Sequence, residues 1–156
     1  MTGVTEFRKP SPVERLFNRA FGLLVGLGLG TADYYLLQVR GRKTGRIYST
    51  PVNVITVGGA RFLVAPRGRT QWVRNAEAAG EVVLKRGWGR RRFHIRAVPN
   101  SHRPDVLCAY LNRFRVTVQR YFPVRAGAVA AEFVPIVDRY PVFELLEKER
   151  PGGTAT

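Results

Sequence analysis

Apolar and polar positions along the chain switch between two periods, and the switches mark out the elements. Val13, Leu16, Phe17, Ala20, Phe21 and Leu24 recur at helical spacing with Arg15, Asn18 and Arg19 off the stripe, which predicts an amphipathic helix over 12–27. Ser11 stands as its N-cap, Pro12 at its first position and Glu14 three residues after the cap. From Tyr34 the period falls to two. Tyr34 to Val39, Tyr48 to Val57 and Arg61 to Ala65 read as strands, with Gly58-Gly59 as a tight hairpin turn. Pro51 predicts an edge or a bulge at that point of the second strand. Thr70 then caps a short helix from Gln71 to Ala79, stopped by Gly80. Glu81 to Arg86 and Arg90 to Val98 form a second hairpin about Gly87-Trp88-Gly89. Phe93, Ile95 and Ala97 share one face of its later strand, and Arg92, His94 and Arg96 the other, so His94 is expected in solvent.

Helical spacing returns from Pro104 to about Val118 through Leu107, Tyr110, Leu111, Phe114 and Val118, with Cys108 beside the stripe as a small buried filler. Pro135 interrupts the next helical pattern, so 128–139 should be short or broken. Val142 to Leu146 reads as a last strand returning to the sheet, and 1–10 and 148–156 as loose tails. There is no internal repeat or linker, so residues 1–156 are expected to form a single domain. Short antiparallel strands with flanking helices point to an α+β chain, mainly β, built as a small barrel. Such a barrel leaves loops at its rim for ligand contacts.

Charge changes the picture most. The chain carries a net charge of +15 and a pI near 11.3, which favours polyanions, anionic membranes or anionic cofactors as partners. From Tyr34 to Ala76 there is no Asp or Glu, while Arg40, Arg42, Lys43, Arg46, Arg61, Arg67, Arg69 and Arg74 all fall inside that stretch. At its centre Gly41-Arg42-Lys43-Thr44-Gly45 is a glycine-bounded basic turn between two strands. Glycines allow backbone N–H groups to converge on an anion. The glycine spacing is wrong for a Walker loop, and a strand rather than a helix follows. One cysteine excludes an internal disulfide, and with only His94 and His102 besides, no metal site is expected. The apolar run from Ala20 to Leu29 is too short to span a bilayer, and Glu6 and Glu14 spoil the flank of a secretory signal. The expected place is the cytoplasm. The N-terminal helix either covers the barrel or lies peripherally on the anionic inner face of the plasma membrane.

Taken together, Gly41-Arg42-Lys43-Thr44-Gly45, Thr50-Pro51, Ala65-Pro66-Arg67-Gly68 and Trp72-Val73-Arg74-Asn75 resemble the deazaflavin-dependent nitroreductase family of actinobacteria. The resemblance spans roughly Pro12 to Leu146 and implies a split β-barrel of about six antiparallel strands that uses coenzyme F-420. Arg42, Lys43, Thr44 and Gly45, with Arg40 and Gly41 beside them, would hold the phosphate and acidic tail. Pro51 and Val52 would line the ring, and the turn Ala65, Pro66, Arg67 and Gly68 would approach it. Trp72 and Asn75 match the family's Trp-x-x-Asn. The implied reaction is hydride transfer from reduced F-420 to a small hydrophobic acceptor, quinone-like or nitroaromatic. The hydride chemistry would be the cofactor's, so no catalytic acid or base is assigned. Arg69-Thr70-Gln71 and Val73 depart from the family's commoner pattern and leave substrate choice open. Other readings of the residues are an FMN- or haem-binding split barrel, a non-catalytic cofactor or lipid carrier, and, less favoured, a nucleic-acid-binding barrel. Tyr48, Tyr110 and Tyr121 can be read as pocket residues or proton donors, with ordinary packing the favoured reading, and the oligomeric state stays open.

Overall fold

The computed structural model describes residues 33–148. The helix expected over 12–27 and most of both tails lie outside them. In chain order the elements are β1 (Tyr34–Arg40), β2 (Ile47–Val57), β3 (Ala60–Val64), α1 (Gln71–Ala79), β4 (Glu81–Arg86), β5 (Gly89–Ala97), α2 (Arg103–Val118) and β6 (Val142–Glu147). A 3-10 turn, Gln119–Tyr121, follows α2, and a 3-10 helix, Ala130–Arg139, precedes β6. Pro135 lies inside the latter. It has no N–H to give an α-helical ladder, which agrees with the broken pattern read there.

The six strands close into a barrel in the order β1-β2-β3-β6-β5-β4, every pairing antiparallel. Local hairpins supply three of the ladders, and Gly58 and Gly59, with φ of 58° and 81°, make the tight turn between β2 and β3. Alternation along each strand sorts side chains into two cores. Leu37, Val39, Val54, Leu63, Phe93, Phe143 and Leu145 fill the barrel, joined by Val73 and Ala76 of α1, which plugs one end. Ile55, Val64 and Val142 point outward and meet Leu107, Tyr110, Leu111, Phe114 and Val118 of α2 together with Phe133 and Ile136 of the 3-10 helix.

Three readings need adjustment. Cys108 is half-buried rather than enclosed, its Sγ 3.4 Å from the Ala128 carbonyl oxygen. Thr70 occupies the N-cap position of α1, but its side chain makes no capping bond. Lys148 is tied rather than loose, its backbone N–H donating to the Arg92 carbonyl (3.2 Å) and its ammonium meeting Glu81 at 3.0 Å. That bond, larger than the desolvation that opposes it, holds the Glu81 carboxyl below its ordinary range. His94 is exposed among arginines, as its strand face requires.

Candidate active site

The barrel is split along β2. Ile47 to Asn53 pair only with β1, and the ladder to β3 runs from Val54 to Val57. The Val54 N–H donates to the Asp33 carbonyl on the β1 side at 2.8 Å, so by the two-residue period the nitrogen of Pro51 faces away from β1. No strand lies there to miss its N–H. The proline thus sits on a locally open edge, as expected from the sequence, and a cleft of about 640 Å³ opens against that edge. This volume suits a cofactor-sized ligand.

The basic turn forms the cleft's mouth. Its hydrogen bonds are mostly spent within the protein. Gly41 N–H donates to Arg46 O (2.7 Å), Gly45 N–H to Gly41 O (2.9 Å), Arg46 N–H to Thr44 Oγ1 (3.2 Å) and Arg42 N–H to Asn75 Oδ1 (3.1 Å). Among the described residues only the Lys43 and Thr44 N–H groups of this turn have no such bond. The anion cradle read from the sequence is therefore narrower than five converging amides. Gly41 is needed for a steric reason: a Cβ there would stand 2.5 Å from Tyr48 Cε2 and 3.0 Å from Thr44 Oγ1. Arg40 and Gly45 do not line the cleft. The Arg40 guanidinium donates to the Gly45 carbonyl at 3.0 Å and braces the turn from outside.

Across the mouth stands the start of α1. Ala65, Pro66, Arg67 and Gly68 turn beneath it, closed by Gly68 N–H donating to Ala65 O at 3.1 Å. Asn75, the only buried polar or charged side chain among the described residues, accepts from both the backbone and the guanidinium of Arg42, the latter at 2.7 Å; Gln71 Oε1 accepts from the same Nη1 at 2.9 Å. Asn75 thus fastens the basic turn to the helix, a role that thirty-odd intervening residues hid from the sequence reading. Trp72 both lines the cleft and packs edge-on against Phe143, ring centroids 6.4 Å apart. Thr70 lines the same region, and its Oγ1 is buried and without a hydrogen-bond partner. An uncapped helix start with an orphaned hydroxyl beside it is suited to a polar, anionic group.

The deep wall comes from tyrosines for which packing is the favoured sequence reading and a pocket place the alternative, and from residues the sequence does not single out. A kink at Phe114 (φ −113°, ψ 22°) turns the end of α2 over the split. Thr117, Val118, Arg120 and Tyr121 thereby join Tyr34, Tyr48, Asn53 and Tyr110 around the cleft. Burial pushes the Tyr110 hydroxyl well above its ordinary value, only partly offset by a hydrogen bond from the Asn53 side chain. Arg42, Lys43, Arg67 and Arg120 line the cleft, and no Asp or Glu among the described residues does. The acid-free stretch of sequence has become an acid-free cavity, in which anionic charge is drawn in and focused. Apart from Arg40 and Gly45, every site residue expected from the sequence lines this one cleft: Gly41, Arg42, Lys43, Thr44, Pro51, Val52, Ala65, Pro66, Arg67, Gly68, Trp72 and Asn75.

A family model described as F420H(2)-dependent quinone reductase matches residues 13–133. No curated protein matches the sequence. Among solved structures, a protein of unknown function from Agrobacterium tumefaciens is similar at 17% identity and a TM-score of 0.51, over 88% of this chain. The chain spans 58% of that protein's length. A putative 5-nitroimidazole antibiotic resistance protein from Bacteroides thetaiotaomicron aligns at 11% identity over 85% of this chain and 81% of its own, TM-score 0.52. A NimC/NimA family protein from Clostridium acetobutylicum aligns at 10% identity over 83% and 81%, TM-score 0.51. At these identities the likeness is one of fold.

Proposed function

The chain belongs to the F420H(2)-dependent quinone reductase family, a family of oxidoreductases, and from that premise we propose that the cleft binds coenzyme F-420 and presents it to a quinone-like acceptor. The observation that carries this reading is the acid-free cleft with four cations on its wall and an uncapped helix start at its mouth. When bound in its reduced form, F-420 would supply the hydride.

Lys43, the Lys43 and Thr44 N–H groups, and the outer face of the Arg42 guanidinium hold the anionic phosphate and glutamate tail by charge-assisted hydrogen bonds. The uncapped first turn of α1 gives it a further polar contact. Pro51, Val52, the Ala65 to Gly68 turn and Trp72 bound the flat part of the cavity and exclude water from it. Tyr110, kept neutral by burial, donates a hydrogen bond to the oxygen of the acceptor where charge develops, the proton itself coming from water, while Asn53 fixes the ring's orientation. The protein's part is to place donor and acceptor in reacting geometry, which can supply about 7–11 kcal/mol of the barrier. A nitroaromatic is the second acceptor to try.

Optical monitoring of reduced F-420 with menadione tests the reading. Oxidation dependent on the protein supports it; absence of F-420 binding, or turnover only with FMN, overturns it. Gly41→Ala gives a local check. The added methyl would displace the Tyr48 ring or the turn, so F-420 affinity should fall about tenfold or more by titration while the thermal midpoint moves by only a few degrees. An unchanged binding curve would show that the turn does not hold the tail.

A further inference from the structure

The hairpin joining β4 and β5 plays no part in the cleft. Its tip reads Lys85-Arg86-Gly87-Trp88-Gly89-Arg90-Arg91-Arg92, and Trp88 is 105% exposed, an indole held wholly in water by a two-residue turn. Leaving so large an apolar ring in solvent costs free energy unless something covers it. Around it Arg90, Arg91 and Arg92 are exposed and Lys85 half-exposed. The acidic groups nearby are few: Glu147 pairs with Arg91 at 3.3 Å, and Glu81, at the far end of β4, is taken by Lys148. Arg86 leans its guanidinium over the Tyr35 ring, 5.9 Å from the centroid.

We propose that this hairpin tip is a docking site for an anionic lipid surface, with Trp88 seated at the level of the headgroups and Arg90, Arg91 and Arg92 on the lipid phosphates. Tryptophan is the side chain that best suits the boundary between headgroups and acyl chains, and clustered arginines supply the long-range attraction. Lipid is favoured over nucleic acid by the shape of the tip. A single indole at an apex can be inserted into an interface but offers no row of rings for successive bases. Arg90 and Arg92 lie on one face of β5 and Arg91 on the other, so cations stand behind the apex on both faces. The tip also follows directly on the Leu36–Lys85 pair, beside the entrance of β1, whose Tyr34 lines the cleft. The basic turn at the cleft's mouth follows the other end of β1, and the contact does not rest on the proposed function.

Co-sedimentation of the full chain with phosphatidylglycerol–phosphatidylcholine vesicles tests the contact without any turnover. Binding is expected, lost in high salt and absent with pure phosphatidylcholine. Trp88→Ser and Arg90→Ser/Arg91→Ser/Arg92→Ser should each weaken it, the latter by about fivefold per arginine. Brominated lipid should quench tryptophan fluorescence in the parent and not in Trp88→Phe. All these positions are exposed, so menadione turnover in solution should be unchanged in every variant. No binding to anionic vesicles, or variants that bind like the parent, would overturn the proposal. So would a single-stranded RNA oligonucleotide bound tighter than vesicles in a Trp88-dependent way.

Discussion

Replacing Asn75 by leucine is expected to cost about 2–4 kcal/mol of stability and to weaken F-420 binding about ten- to a hundredfold. Leucine keeps the branched outline with more bulk, so no cavity is made; the lost hydrogen bonds and some crowding at a buried site together set the cost. Asn75 is 6% exposed and accepts from both the backbone N–H and the guanidinium of Arg42. Without it a charged group loses its buried acceptor, and the basic turn is left with Gln71 alone to tie it to α1. Asn75→Asp separates positioning from charge. A carboxylate can accept the same two bonds and adds an ion pair, so denaturant unfolding should stay close to the parent. It also places the first acidic group on the cleft wall, so F-420 affinity should still drop, and drop more at low salt than at high salt. If Asn75→Leu unfolds and titrates like the parent, the turn is positioned by something else.

The same pair shows where sequence reasoning stops. The basic turn was legible because its chemistry lies within five residues, and the barrel because hairpins and alternation are local signals. Pro51 even revealed the open edge, since a missing N–H is a property of one residue. That Arg42 is bound to a helix 33 positions later is a tertiary fact, set by where α1 plugs the barrel. Arg40 illustrates the converse: adjacent to the turn and of the right charge, it faces Gly45 on the outside. The deep wall was hidden for a similar reason. Tyr110 lies on a regular apolar stripe, and a stripe reads as core. It is core, at 2% exposure, and yet borders the cleft because the Phe114 kink carries the rest of α2 across the split. Thr70 has the right residue type and place for a cap, and only the structure shows its hydroxyl left without a partner.

Tyr110 gives the remaining large effect. Substituting phenylalanine should lower the rate of menadione reduction by about a hundredfold or more, the usual range for losing one positioned hydrogen-bond donor to a developing oxyanion, while F-420 affinity changes little. Burial holds the hydroxyl protonated above its ordinary range, so the parent's rate should show no tyrosine ionisation as pH rises through about 10, where an unshifted phenol loses its proton. Stability should carry the signature that rate lacks. An unfolded tyrosine gives up its proton near pH 10, whereas Tyr110 and Tyr140, both raised by burial, keep theirs in the fold. Above that pH the unfolded chain binds fewer protons than the native one, so unfolding becomes easier as pH rises, by up to about 1.4 kcal/mol per pH unit for each group. The contribution of these two hydroxyls is thus complete below pH 10 and drains away above it. Tyr110→Phe should remove one share of that slope. Tyr140→Phe should remove the other, and at every pH also lose the bond its hydroxyl donates to the Tyr121 carbonyl at 2.6 Å. Equilibrium unfolding in urea at pH 8 to 11 measures the slopes, and stopped-flow oxidation of reduced F-420 measures the rate. A Tyr110→Phe protein that turns over like the parent, or whose alkaline slope is unchanged, would remove Tyr110 from contact with the acceptor or from the buried state that keeps it protonated.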